Sequence, residues 1–235
     1  MKVGNVENVG SGQTPDKVRT KVNMSGFFLH AMNTFYRKAK DYEEINEAPS
    51  EEFNSYFFGG IICTVSFLEC FINEVYQELS DGPCYNFINV DLVRAHAIQE
   101  LYQRNILRTT EILEKYDLFA GVYACKKLEK GISPYKDVAL LIKIRNELVH
   151  HKPKWVESAL DDFGQASSPC KIEKNFKKQF SLSKYHGGSP TFVPHKCMSA
   201  DCLRWGNEKS KEFISSFCSD INYNYPYFKD REPKG

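Results

Sequence analysis

The residues of this chain best suited to chemistry close an otherwise apolar helical run, VALLIKIRNELVHH over 138–151, where Arg145, Asn146, His150 and His151 stand together. An imidazole with an unperturbed pKa of about 6.5 takes up or releases a proton near neutrality. A guanidinium stays charged and offers a planar fork to the oxygens of an anion. A structural reading stands beside this one: Arg145 pairs with Glu69 or Glu147, Asn146 bonds a helix end, and the histidines face the negative end of the helix dipole. No Gly-rich phosphate loop, HExxH, GxSxG or paired metal-binding carboxylate motif is present, so most enzyme classes have no support in the sequence.

The elements that must position these residues read as helices. Phe28, Met32, Phe35, Ala39 and Tyr42 recur at three- and four-residue spacing along one stripe. Ser50 is the expected N-cap of a second helix, with Glu51 and Glu52 at the positive end of its dipole. Its apolar set is Ile61, Val65, Leu68, Ile72, Val75 and Leu79, and Ser80-Asp81-Gly82-Pro83 stops it. Gly59-Gly60 near its start implies a kink, a later helix start or close backbone packing. A third helix is expected over roughly 91–116 and a shorter one around 119–128, the boundaries being those the 3.6-residue period allows. Ser133-Pro134 reads as N-cap and N1 of the helix that carries the Arg–His residues, and Pro153 closes it. Residues 153–199 show no sustained period and read as a long irregular insertion. A last helix starts near Ser199, with Leu203, Gly206, Ser210, Phe213, Ile214 and Phe217 on its inner face. The sequence therefore predicts an all-α helical bundle of about five to six helices, with a long irregular insertion before the last helix. Residues 1–22 read as an N-terminal tail, 23–220 as the helical domain and 221–235 as a C-terminal tail.

Composition narrows the partners. With 235 residues, 42% of them hydrophobic and 26% charged, the chain can bury a substantial core. A net charge of +1 gives no global attraction to nucleic acid or membrane, so any such contact is local. The start has no apolar signal-like run, and the apolar runs fall short of about 18 residues, so neither a secretory signal nor a spanning helix is expected and the cytoplasm is the expected location. Eight cysteines without a CxxC pair read as free thiols. His186, His195, Cys197 and Cys202 match no zinc spacing, so no metal and no cofactor is expected. In the insertion, Lys171, Lys174, Lys177, Lys178 and Lys184 interleave with Phe176, Phe180 and Tyr185, a pattern shared by RNA-contacting and plain solvated loops.

Arg145-Asn146-(x3)-His150, led by Val138, Leu140, Leu141 and Ile144 and followed by Lys152-Pro153, resembles the signature of the HEPN domains. The segment SFLECFINEVYQEL, with Glu69 and Asn73, is similar to the helix that packs against the motif helix in a subset of them. ADCLRWGNEKSKEFISSF is similar to their closing helix. The resemblance covers about residues 25–220 apart from the insertion. It implies an all-α fold and, as in many members, a metal-independent endoribonuclease in which a 2′-hydroxyl attacks the neighbouring phosphate. On that reading His150 is the acid/base, Arg145 clamps the phosphorane charge and Asn146 orients. His151, Lys152, Glu69 and Asn73 are the candidates for holding substrate. The position two residues after the His is Lys152, where members paired with a nucleotidyltransferase often carry a Tyr modification acceptor.

At about 100° per residue, Arg145 and His150 stand about 140° apart around the helix axis, whereas Asn146 and His150 share a face. A two-fold homodimer that brings two such helices together surrounds one cleft with both sets. The resemblance implies the same composite site, with RNA as substrate, a cognate antitoxin or inhibitor protein as partner, and a setting in stress, defence or toxin–antitoxin biology. Other HEPN domains are non-catalytic modules for dimerisation, nucleotide or protein binding.

Overall fold

The computed structural model describes residues 21–81, 86–103, 106–151, 176, 179–187, 189 and 191–225. They form an all-α bundle: α1 (Ser25–Ile45), α2 (Glu51–Asp81), α3 (Leu92–Gln103), α4 (Ile112–Tyr123), α5 (Tyr135–Val149) and α6 (Ala200–Asp220). No named strand occurs among the described residues, only an isolated bridge between Phe87 and Tyr223. The expectations placed on 1–20 and 226–235, and on Lys152, Lys171, Lys174, Lys177 and Lys178, lie outside the described residues.

The hub is α2, which packs against α1, α3, α4, α5 and α6. Its predicted stripe, Ile61 to Leu79, is buried throughout, and Phe53, Phe57, Phe67, Phe71 and Tyr76 widen it into an almost all-round apolar surface. This helix is long and apolar enough to cross a membrane by length and composition alone, contrary to the expectation drawn from uninterrupted apolar runs. Its apolarity matches its central position, where it touches neighbours on several sides. Ser50 caps it as predicted, its Oγ accepting from Phe53 N–H at 3.2 Å. Of the readings open for Gly59-Gly60, close packing holds. A Cβ at Gly59 would lie 2.7 Å from Phe35 Cζ, and one at Gly60 2.7 Å from Leu203 Cδ2.

The expected single helix over 91–116 is two helices. α3 ends at Gln103, Ile106–Arg108 form a 3-10 turn, and α4 begins at Ile112. The break holds Thr109-Thr110, β-branched hydroxyl residues that favour local bonds over a continuing helix. α4 stops at Tyr123, short of the expected Leu128. Cys125 turns into the left-handed region at φ 51°, and the N–H groups of Ala124 and Lys126 both reach Ala120 O. α5 starts one residue later than expected, with Pro134 as its N-cap and Val138 N–H donating to Pro134 O at 3.0 Å.

α6 begins as predicted, with Ser199 Oγ accepting from Cys202 N–H, and every residue predicted for its inner face is buried. Within the insertion, Phe176 and Phe180 pack on Trp205 of α6 and Phe192 packs on both of them, ring centroids 5.0 to 6.4 Å apart. The expected C-terminal tail is partly core: Ile221, Tyr223 and Tyr225 are buried. Ile88 N–H donates to Asn222 O, Asn224 N–H donates to Asn86 O, and Tyr225 hydroxyl reaches Ser25 Oγ at 3.1 Å. Alternating Tyr223 and Tyr225 put two rings against Phe71, a period-two pattern that the surrounding Asn and Pro residues disguise.

Candidate functional site

Val138, Leu141 and Ile144 bury one side of α5, so the residues after them are aimed by the packing of that side. Tyr135 packs on Phe213 with ring centroids 5.9 Å apart, and Leu141 Cδ1 would be 3.0 Å from a Cβ at Gly206. These contacts run α5 antiparallel to α6. α6 in turn runs parallel to α2, since Leu203 meets Gly60 and Thr64 hydroxyl bonds Asn207 Oδ1 at 2.9 Å.

Arg145 is half-buried, and its Nε is buried without a hydrogen-bond partner. Asn146 is exposed, and its carbonyl accepts from His150 N–H at 2.9 Å. His150 is the exposed C-cap, its φ of −109° and ψ of 29° taking the chain out of the helix, and His151 is exposed beyond it. Arg145 and His150 thus differ in burial as well as in direction around the axis. Lys152 lies outside the described residues.

Glu69 and Asn73 are brought together by a different cation. Lys115 of α4, only 5% exposed, donates to Glu69 Oε1 at 3.3 Å and to Asn73 Oδ1 at 3.1 Å. The antiparallel register puts Arg145 level with the Gly60–Leu203 contact, and Glu69 is nine residues, about 13 Å, further along α2. The pairing of Arg145 with Glu69 that the structural reading offers is therefore not formed, and Glu69 and Asn73 stand apart from Arg145. Lys115 escaped the sequence reading, although a lysine between Ile112 and Phe119 at core spacing was the available signal.

Cys197 and Cys202 are buried and His195 is exposed, with its Nδ1 bonded to Thr191 and Ser189 hydroxyls. Among the described residues no three His, Cys, Asp or Glu side chains gather to hold a metal. Burial pushes the Cys70 thiol up to about 11 and the Cys218 thiol to about 12, so neither is a poised nucleophile. Comparison with protein-family models, with curated proteins and with solved structures gives no match.

Proposed function

We propose that this chain is a HEPN-like, metal-independent endoribonuclease that cleaves RNA by 2′-hydroxyl attack at a site shared by two copies. The observation that carries the reading is the state of Arg145, whose Nε has no partner while Glu69, one of the two acids that could have paired with it, is held by Lys115. A buried guanidinium nitrogen left without an acceptor carries a desolvation penalty of about 1–3 kcal/mol or more, which an incoming anion relieves. His150, exposed at the end of the same helix, supplies an imidazole, the side chain most often used as general acid and base. In this reading Arg145 meets the phosphate charge, His150 takes or returns the proton, and Asn146 orients. The second copy compensates for the angle of about 140° between Arg145 and His150 on one helix.

The test is cleavage of bulk RNA in EDTA by the purified chain and by His150→Ala and Arg145→Ala variants, beside sedimentation of the unaltered chain at micromolar concentration. Cleavage that both substitutions abolish, by a dimer, is expected. An inactive parent chain, or equal cleavage by all three, would leave a non-catalytic helical module, and a monomer would remove the shared site.

A further inference from the structure

The residues of α5 and its cap that face solvent are Lys136, Lys143, Asn146, Val149 and His150, and none is acidic. Of the acids of this helix, Asp137 is 3% exposed, and Glu147, half-buried and with an interaction of its own, stands about 40° round from Lys143, one turn nearer His150. Lys136, Lys143 and His150 recur every seven residues, so successive members are turned by only about 20° and separated by about 10 Å along the axis. They make one straight row that ends at His150. Among the described residues neither lysine is paired with a carboxylate. By contrast, the three cations of α6 all have partners: Arg204 is bonded to Asp201 and Glu208, Lys209 to Glu212, and Lys211 to the Asn33 amide oxygen.

We infer that the solvent face of α5 is a track for the phosphate backbone of single-stranded RNA, with Lys136 and Lys143 each taking a phosphate and leading the strand to His150. The occupant follows from charge. Two lysines in line, without a carboxylate partner among the described residues, are a local electrostatic feature on a chain of net charge +1, and its complement is a pair of linked anions. A second copy of the chain is a poor occupant of the Lys136–Lys143 stretch, where a two-fold contact sets lysines against lysines; the shared site of the nuclease reading needs only the His150 end of α5. The spacing favours a polyanion over a single bound anion, since two cations about 10 Å apart cannot share one phosphate. The inference takes its substrate class from the proposed nuclease reading and does not depend on cleavage.

The experiment measures binding of a fluorescein-labelled single-stranded oligouridylate by anisotropy across a salt series. His150→Ala serves as the background, so that no strand is cut during the titration. Adding Lys136→Glu and Lys143→Glu is expected to weaken binding roughly tenfold, and to lower the slope of log affinity against log salt by about 1.4, two single-strand phosphate contacts. Arg37→Glu with Lys38→Glu on α1, exposed and equal in charge change, is the control and is expected to leave the slope unchanged. Absence of RNA binding by the His150→Ala background, an unchanged slope in the α5 variant, or an equal loss in the α1 control would each overturn the track. Binding that depends on the two lysines in a chain that never cleaves RNA would keep the track and remove the nuclease.

Discussion

Lys115 Nζ and Glu69 Oε1, 3.3 Å apart, join α4 to the middle of α2 through an ion pair that is buried on one side and 45% exposed on the other. Removing the carboxylate leaves an ammonium inside the bundle with only Asn73 Oδ1 to bond. Glu69→Ala is expected to cost about 2 kcal/mol, below the range for a fully buried pair because water reaches Glu69. Lys115→Met, which fills the same space without charge, is expected to stay within about 1 kcal/mol of the parent chain, and adding it to Glu69→Ala should recover most of the loss. Urea unfolding of the three variants checks this; a neutral Glu69→Ala would mean that the pair does not hold the helices. On the proposed nuclease reading, RNA cleavage should survive Glu69→Ala with Asn73→Ala in the Lys115→Met background, since both side chains serve Lys115.

Gly60 and Gly121 separate two effects of adding a methyl group to a helix. Each should gain about 1 kcal/mol in helix propensity on becoming alanine. At Gly121 a Cβ meets nothing within 4 Å, so Gly121→Ala is expected to stabilise the chain by up to that amount. At Gly60 it meets Leu203 Cδ2 at 2.7 Å and Phe35 Cβ at 3.3 Å, and Leu203 is itself 1% exposed with no room to yield. Overpacking of about 1–3 kcal/mol then outweighs the propensity gain, and Gly60→Ala should lower the thermal midpoint while Gly121→Ala raises it.

The cap of α6 combines helix and insertion. Ser199 Oγ accepts from Cys202 N–H at 3.1 Å and donates to Ser181 O at 2.8 Å. Ser199→Ala removes both bonds and should cost about 1–2 kcal/mol in a urea titration. Loss of the cap alone would stop at the lower figure, and no loss at all would show that water replaces both partners.

The helices that were legible in the sequence are those whose apolar spacing is unbroken, α1, α2, α5 and α6, together with the Ser50 and Ser199 caps. The split between α3 and α4 was hidden because apolar residues continue at helical spacing across Thr109-Thr110, and spacing alone does not register a local competition for backbone bonds. Tyr223 and Tyr225 were read as tail because a two-residue alternation is too short to show a period. At the candidate site, the positions of Arg145 and His150 on one helix end followed from the pattern. The association of Glu69 and Asn73 with them did not, since which cation a carboxylate meets is set by the register between helices far apart in sequence.

Glu74 gives a pH signature. Its carboxylate accepts from Ser25 N–H at 2.8 Å and from Ser25 hydroxyl, yet burial outweighs these bonds and raises it above the ordinary 4.5. A raised carboxyl binds its proton more tightly in the folded chain than in the unfolded one. Its contribution to stability is therefore full below the unfolded value and is lost as pH rises through the folded value. Glu74→Gln stays neutral throughout, so its urea midpoint should gain on the parent chain as pH rises from about 4.5 and run level with it below. Parallel midpoints across that range would show that the Ser25 bonds offset the burial in full.

Arg145 offers the cleanest separation of fold from chemistry. Because its Nε has no acceptor, the fold gains little from its charge, while the stem of the half-buried side chain still removes apolar area from water. Arg145→Met keeps that stem volume and removes an unsatisfied buried donor, so its unfolding free energy in urea should lie within about 1 kcal/mol of the parent chain's or above it. On the proposed nuclease reading, RNA cleavage should vanish. Arg145→Lys keeps the charge but not the fork, and a donor aimed at developing phosphate charge is worth about 100-fold or more, so cleavage should fall by at least that factor with the fold intact. If Arg145→Met unfolds the chain, the guanidinium is a structural group and the nuclease reading loses the observation that carries it. If Arg145→Lys cleaves like the parent chain, the charge alone suffices and the fork has no role.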